Sequence, residues 1–112
     1  MGWVHWISWF CGGTFLANAV PHIVNGISGR AFQSPFASPP GRGLSSSMVN
    51  VVWGFFNAAV AWLLIFRVGA FEFHSALDVA VAGLGFLLTS MALARGFGRL
   101  HGGNLDNPIV RK

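Results

Sequence analysis

The stretch SMVNVVWGFFNAAVAWLLIF, residues 47–66, contains twenty residues and no charged side chain. A helix of about 20 predominantly apolar residues is long enough to cross the ~30 Å hydrocarbon core of a bilayer. This stretch therefore predicts a transmembrane helix, and we interpret the rest of the chain as part of a membrane protein.

The composition of the whole chain supports the same interpretation. Of the 112 residues, 54% are hydrophobic and only 9% are charged, whereas a soluble domain carries about 25% charged residues. A water-soluble globule of this composition would have too few polar side chains to cover its surface. The net charge of +4 comes from seven scattered basic residues, which form no patch for nucleic acid. We assign this excess to membrane topology and contact with anionic lipid.

Two further stretches, on either side of residues 47–66, are long and apolar enough to span a bilayer. They cover about residues 3–26, starting WVHWISWF, and about residues 75–95, starting SALDVAVAGLGF. The sequence thus predicts an all-α integral membrane protein, a single membrane domain over residues 1–112 with three transmembrane helices. A long loop rich in Pro, Gly and Ser, residues 27–46, joins the first two helices. A flexible tail, residues 96–112, follows the third.

The long loop has two interpretations. Its prolines, among them Pro39 and Pro40, prevent it from being helical. Phe32 and Phe36 are too apolar for a purely solvated linker, so we expect them to dip into the membrane interface or pack on the helix ends. The loop is either an ordered but passive connector, or a lid or docking segment, since long loops are often functional.

The basic residues predict an orientation. Six of the seven lie in the long loop or in and beside the tail, and only Arg67 lies in the short connection 67–74. By the positive-inside rule, the long loop and the tail are cytoplasmic and the N-terminus is outside. We expect a multi-pass protein of the cell inner membrane, with four arginines contacting anionic lipid: Arg30, Arg42, Arg95 and Arg99.

Each predicted helix carries one narrow face of small and polar residues. Such faces either pack helices closely, with amides bonding across the contact, or line a polar cavity. The candidates for interhelical bonding or ligand binding are Asn18, His22 and Asn25 on the first helix, Asn50 and Asn57 on the second, and Asp78 on the third.

His22 and Asp78 have more specific alternatives. His22 follows Pro21, which removes a backbone donor and usually kinks a helix. The histidine would bond freed backbone groups, bind a ligand or metal, or move a proton. It lies at the same predicted depth as Asn50. Asp78 follows His74 by four residues, which indicates either a carboxylate at a helix start or a proton-linked pair.

The sequence contains no spacing typical of a haem or metal site, and no catalytic constellation. His22 and His74 are predicted near opposite ends of a ~30 Å span, so they cannot form a bis-histidine haem site. The pairs left open are His5 with His74 at the outer side and His22 with His101 at the inner side. We therefore expect neither haem nor metal, and the cofactor, if any, is unknown.

Three functions remain open. The leading hypothesis is a small non-enzymatic membrane protein that forms a homo-oligomer or serves as an accessory subunit of a membrane complex. Its partners would be membrane lipids and copies of itself or other membrane subunits, not nucleic acid. The first alternative is a transporter or channel protomer with a path lined by asparagines. The second is a protein that binds a small lipid or quinone-type ligand with His22, under residues 28–46.

Overall fold

The computed structural model of this chain describes residues 2–104. It contains three long helices: α1 (Gly2–Ile27), α2 (Ser47–Trp62) and α3 (Ala76–His101). A π-helical turn, Leu63–Val68, continues α2. The first loop, residues 28–46, contains two short strands, β1 (Phe32–Gln33) and β2 (Leu44–Ser45).

The first two predicted spans agree closely with the helices. α1 exceeds the predicted span 3–26 by one residue at each end, and α2 begins at the predicted residue, 47. Its π-helical turn carries the helical path two residues further than predicted, to Val68. The predicted three-helix order is therefore observed in the described part of the chain.

The predicted end of the third helix, at Arg95 and Gly96, is wrong. α3 continues to His101 and ends only where Gly102 adopts a left-handed conformation, with φ of 80°, which is the usual helix-ending role of glycine. Gly98 lies inside the helix, and Asn104 folds back against it. A Cβ at Gly98 would overlap the amide of Asn104. The predicted flexible tail is thus helical up to residue 101, and residues 105–112 lie outside the described residues.

α1 occupies the middle of the fold. It packs against both α2 and α3 along its length, while α2 and α3 have few contacts with each other. The described chain measures 52 × 31 × 23 Å, so the three helices form a flattened bundle. The central position of α1 explains why its polar residues find partners on both sides.

Glycines bring the helix backbones into direct contact. A Cβ at Gly13 would overlap the carbonyl oxygen of Ala82, and one at Gly85 would overlap that of Phe10. At the other contact, a Cβ at Gly54 would lie 2.9 Å from the backbone nitrogen of Ile23. Small residues at Gly13 and Gly54 therefore do pack helices together, as the pattern predicts. The small face of α3 makes no such contact at Gly96 within residues 2–104, because a Cβ there would meet no atom within 4 Å.

The first loop is ordered and folds back on the helix ends. β1 and β2 pair antiparallel, Phe32 with Ser45 and Gln33 with Leu44. The hydroxyls of Ser34 and Ser45 lie 2.6 Å apart, and the backbone N–H of Phe36 donates to the Ser34 hydroxyl. Phe32 is 7% exposed and packs on the helix ends, which confirms that expectation. Phe36 packs edge-on against Trp53, with ring centroids 5.0 Å apart.

Two helices of the described chain are long and apolar enough to cross a membrane. They are Ser47–Val68, which is α2 with its π-helical turn, and Ala76–His101, which is α3; each has a mean hydropathy of 1.9. Only 28% and 11% of their most apolar segments are buried, so they are not the core helices of a compact globule. α1 contains 26 residues and no charged side chain, but it does not reach the mean hydropathy of a candidate membrane span.

Candidate functional site

A buried hydrogen bond joins His22 of α1 to Asn50 of α2. Nδ1 of His22 lies 2.6 Å from Oδ1 of Asn50, and the residues are 2% and 0% exposed. An amide oxygen only accepts, so Nδ1 carries the proton and donates it. Among the alternatives for His22, the structure therefore gives it a hydrogen-bonded position facing Asn50, at the shared depth that the sequence predicts.

Asn50 also holds the first loop in place. Its Nδ2 group donates to the carbonyl oxygens of Phe32, Ser45 and Ser46, at 3.0–3.1 Å. These three acceptors fix which end of the amide is the nitrogen, and hence that the oxygen faces His22. Ser46 is the N-cap of α2, where its hydroxyl accepts from the backbone N–H of Val49. One side chain thus connects α1, both strands and the start of α2.

The ring of Phe32 is enclosed by three aromatic rings from α1 and α3. Its centroid lies 5.6 Å from that of His22, 4.7 Å from that of Phe97 and 5.5 Å from that of His101. The next residue, Gln33, has its Oε1 2.8 Å from Nε2 of His101. The two histidines that could pair at this end therefore both contact Phe32, and the loop is fastened to the last turn of α3.

An open apolar cavity of about 470 Å³ lies between α1 and α3 next to this aromatic cluster. We call it the apolar groove. Its lining includes Val20 and Pro21 of α1, Phe32 of the loop, and Ser90, Leu93, Ala94 and Phe97 of α3. His22 does not line the groove but packs behind it, because its ring contacts Phe32 and Phe97.

A second cavity of about 500 Å³ lies between the first loop and α3. We call it the arginine cavity. It is lined by Gly41 and Arg42 of the loop and by Ala92, Leu93, Gly96, Phe97, Arg99 and Leu100 of α3. Leu93 and Phe97 belong to both cavities, so the apolar groove and the arginine cavity adjoin at these two side chains.

The four arginines predicted to contact lipid lie on the loop-bearing side of the fold, in the first loop or the last two turns of α3. Arg42 and Arg99 line the arginine cavity. Arg30 is held by its Nε group, which donates to Oδ1 of Asn25 at 3.0 Å. Arg95 is exposed and lines neither cavity.

The remaining predicted polar residues of α1 and α2 bond within and between the helices. Nδ2 of Asn18 donates to Oδ1 of Asn57 at 3.1 Å, and the Thr89 hydroxyl donates to that of Thr14 at 2.9 Å. Asn25 donates to the carbonyl oxygen of Pro21, one turn earlier in its own helix. The helix continues through Pro21, and the polar faces of the helices meet each other.

Asp78 lies at the opposite end of the molecule and caps α3. It accepts from the Ser75 hydroxyl at 2.8 Å and from the backbone N–H of Glu72 at 3.0 Å, while its own N–H donates to Ser75. The helix begins after His74, so His74 and Asp78 do not share a helix face and the predicted facing of the two is wrong. The helix-start alternative for Asp78 is the observed arrangement.

Sequence reasoning missed two parts of this site. Gln33 carries no pattern that predicts its bond to His101, 68 residues later. Phe97 lies in the segment predicted to be a flexible tail, so its place in the aromatic cluster was also missed. Within residues 2–104, no three His, Cys, Asp or Glu side chains are grouped closely enough to hold a metal ion.

No protein-family model, curated protein or solved structure matches this chain.

Proposed function

We propose that this chain is a small multi-pass membrane protein that binds one lipid-like molecule in the apolar groove. The observation that carries the proposal is the position of Phe32. This residue lines the groove and is fastened by its carbonyl to Asn50 and by its ring to His22, Phe97 and His101. A preformed apolar cavity with a fixed wall and a few polar groups nearby is typical of a ligand site.

The membrane topology is part of the same proposal. α1, α2 and α3 all span the bilayer, with α1 shielded from lipid on two sides by its neighbours. The loop-bearing side, with Arg30, Arg42, Arg95 and Arg99, faces the cytoplasm, and Arg67 lies on the outer side. This distribution of basic residues supports the orientation through the positive-inside rule.

In this proposal, the pair of His22 and Asn50 positions the loop and does not touch the ligand. The ring of His22 lies behind Phe32 and Phe97, and Asn50 is fully buried. The pair therefore keeps the wall of the groove in one conformation. This differs from the sequence-based hypothesis that His22 itself contacts the ligand.

The assembly and channel hypotheses remain predictions, and the geometry favours them less. Assembly would be favoured by polar helix faces that lack partners, yet Asn18 bonds to Asn57 and Thr14 to Thr89 within one chain. A channel would need its asparagines to face an open path, whereas Asn50 and Asn57 are buried among the helices.

Filling the groove tests the proposal. Ala94 is exposed and lines the groove, and Ala59 is exposed on α2 outside it. We expect Ala94→Trp to abolish retention of copurified lipid in native mass spectrometry from mild detergent, and Ala59→Trp to leave it unchanged. Equal lipid retention by both variants would contradict the proposal.

A further inference from the structure

We propose that the ligand of the apolar groove is an anionic phospholipid, whose phosphate group is held by Arg42 and Arg99. This inference rests on the proposed function, and it adds the chemical class of the molecule. The starting observation is that the two cavities share Leu93 and Phe97 as a common boundary. A single amphiphile can therefore place its polar end between the arginines and its apolar part in the groove.

The arginine cavity has the chemistry of a phosphate site. A guanidinium group is planar and presents several N–H donors in a fixed fork, which matches phosphate oxygens in a bidentate manner. Arg42 comes from the loop and Arg99 from α3, so the two groups approach the same space from different elements. Gly96 keeps the cavity open, because no side chain occupies the space where its Cβ would lie.

No carboxylate of residues 2–104 lies near these arginines. The acids in this range are Glu72 and Asp78, and Asp78 precedes Arg99 by 21 positions on the same helix. At 1.5 Å per residue this is a separation of roughly 32 Å. The positive charge of the cavity is therefore not neutralised by the described part of the chain, which favours an anionic ligand.

The dimensions favour a lipid over a soluble phosphate compound. The groove begins near Phe86 and the arginine cavity ends near Arg99, a distance of roughly 20 Å along α3 at 1.5 Å per residue. This is close to half of a bilayer, which is ~40–45 Å thick with its headgroup regions. The polar end lies at the end of the helix, where lipid headgroups would be, and the apolar end lies deeper.

The test compares two lipids with identical acyl chains, anionic phosphatidylglycerol and zwitterionic phosphatidylcholine. Each is titrated onto the full-length protein in a neutral detergent and followed by native mass spectrometry. We expect about tenfold or greater preference for phosphatidylglycerol. Both lipids present a phosphate to the arginines, but the choline cation of phosphatidylcholine is repelled by the two unneutralised guanidinium groups. The double variant Arg42→Gln/Arg99→Gln should lose this preference and bind both lipids equally.

Arg95→Gln is the control, since it removes one arginine charge from α3 outside the cavity. It should keep the preference. If the double variant kept the preference, or Arg95→Gln lost it equally, the assignment of the phosphate to Arg42 and Arg99 would be overturned. Circular dichroism melting of each variant confirms that it is folded.

Inorganic phosphate and the Ala94→Trp variant distinguish a lipid site from a site for a soluble phosphate. If inorganic phosphate bound as tightly as phosphatidylglycerol, and Ala94→Trp left lipid binding intact, the cavity would bind a soluble phosphate and the lipid assignment would be overturned. If neither lipid bound to the wild-type protein at all, the proposed function itself would fail. Equal binding of both lipids to the wild type, abolished by Ala94→Trp, would overturn only the headgroup assignment.

Discussion

Nδ1 of His22 donates to Oδ1 of Asn50 across 28 residues, and this bond closes the base of the first loop. The bond joins the last turns of α1 to the first turn of α2. Because the amide group of Asn50 also donates to the carbonyl oxygens of Phe32, Ser45 and Ser46, the loop and the two helices form one unit. The conformation of the groove wall therefore depends on one buried side chain.

Asn50→Ala should be strongly destabilising. It leaves the His22 ring N–H and up to two carbonyl oxygens without a partner, because the Ser46 carbonyl still accepts from the backbone N–H of residue 50. An unsatisfied buried polar group costs about 1–3 kcal/mol. We expect a loss of about 2–4 kcal/mol in the free energy of unfolding, measured by denaturant titration in detergent. Trypsin should also cleave after Arg42 faster than in the wild type.

Asn25→Ala is the control for this variant. Asn25 bonds only within its own helix and to the exposed Arg30, so its removal should change stability by less than about 1 kcal/mol. If the two alanine variants had the same stability and the same cleavage rate, Asn50 would not be the anchor of the loop.

The bond between Asn18 and Asn57 should appear as a coupling energy. A double-mutant cycle with Asn18→Ala and Asn57→Ala isolates the interaction between the two amides. Interhelical hydrogen bonds in membrane proteins average about 0.6 kcal/mol and reach about 1.7 kcal/mol, and we expect a value in this range. Strictly additive effects of the two substitutions would contradict the direct contact.

Two glycines of α3 should respond in opposite directions to the same substitution. Gly83 faces open space, so Gly83→Ala should be neutral or stabilising by up to about 1 kcal/mol through helix propensity. Gly85→Ala should be destabilising, because its Cβ would overlap the carbonyl oxygen of Phe10 and force α1 and α3 apart. Thermal unfolding in detergent measures both. The same sign of change in both variants would refute the close packing at Gly85.

The two phenylalanines of the first loop should differ in their contribution to stability. Phe32 is buried among three rings, whereas Phe36 is 65% exposed. Phe32→Ala should cost about 3–5 kcal/mol, the range for a buried aromatic side chain, and reduce lipid retention. Phe36→Ala should have a much smaller effect on both measurements. A reversed order would mean that the aromatic cluster does not hold the loop.

Cysteine labelling tests the three-span topology. In a Cys11→Ser background, Ser28→Cys places a thiol in the first loop and Glu72→Cys places one in the connection between α2 and α3. A membrane-impermeant maleimide should label position 72 from outside intact cells, and position 28 only after the cytoplasmic side is opened. Labelling of both positions from one side would exclude this topology.

The helices could be predicted because a long apolar segment can be recognised from its own residues, without knowledge of its contacts. Residues 47–66 contain no charge, and α2 begins at the predicted residue. The relation between His22 and Asn50 could also be predicted, since their distances from the helix ends place them at equal depth. Periodicity likewise brought Asn18 and Asn57 onto facing polar stripes, as their hydrogen bond requires.

The end of α3 and the fastening of the loop could not be predicted, because they depend on contacts between distant residues. Gly96, Gly98 and Gly102 are equally good helix-ending signals in the sequence, and only the packing of Asn104 on Gly98 decides among them. The bond between Gln33 and His101 requires the loop to fold back across the bundle. A pair of His74 and Asp78 would require a shared helix, but Ser75 is the N-cap of α3 and leaves His74 outside it.

The central position of α1 has a consequence for the order in which the protein is made. α1 is translated first, but the Asn57 partner of Asn18 follows 39 residues later and the Thr89 partner of Thr14 follows 75 residues later. At roughly 5–20 residues per second, the second delay lasts roughly 4–15 s. The Asn18 amide therefore gains its interhelical partner when α2 emerges from the ribosome, and Thr14 gains its own only when α3 does. The final placement of α1 is a late event, although it is the first of the three helices to be synthesised.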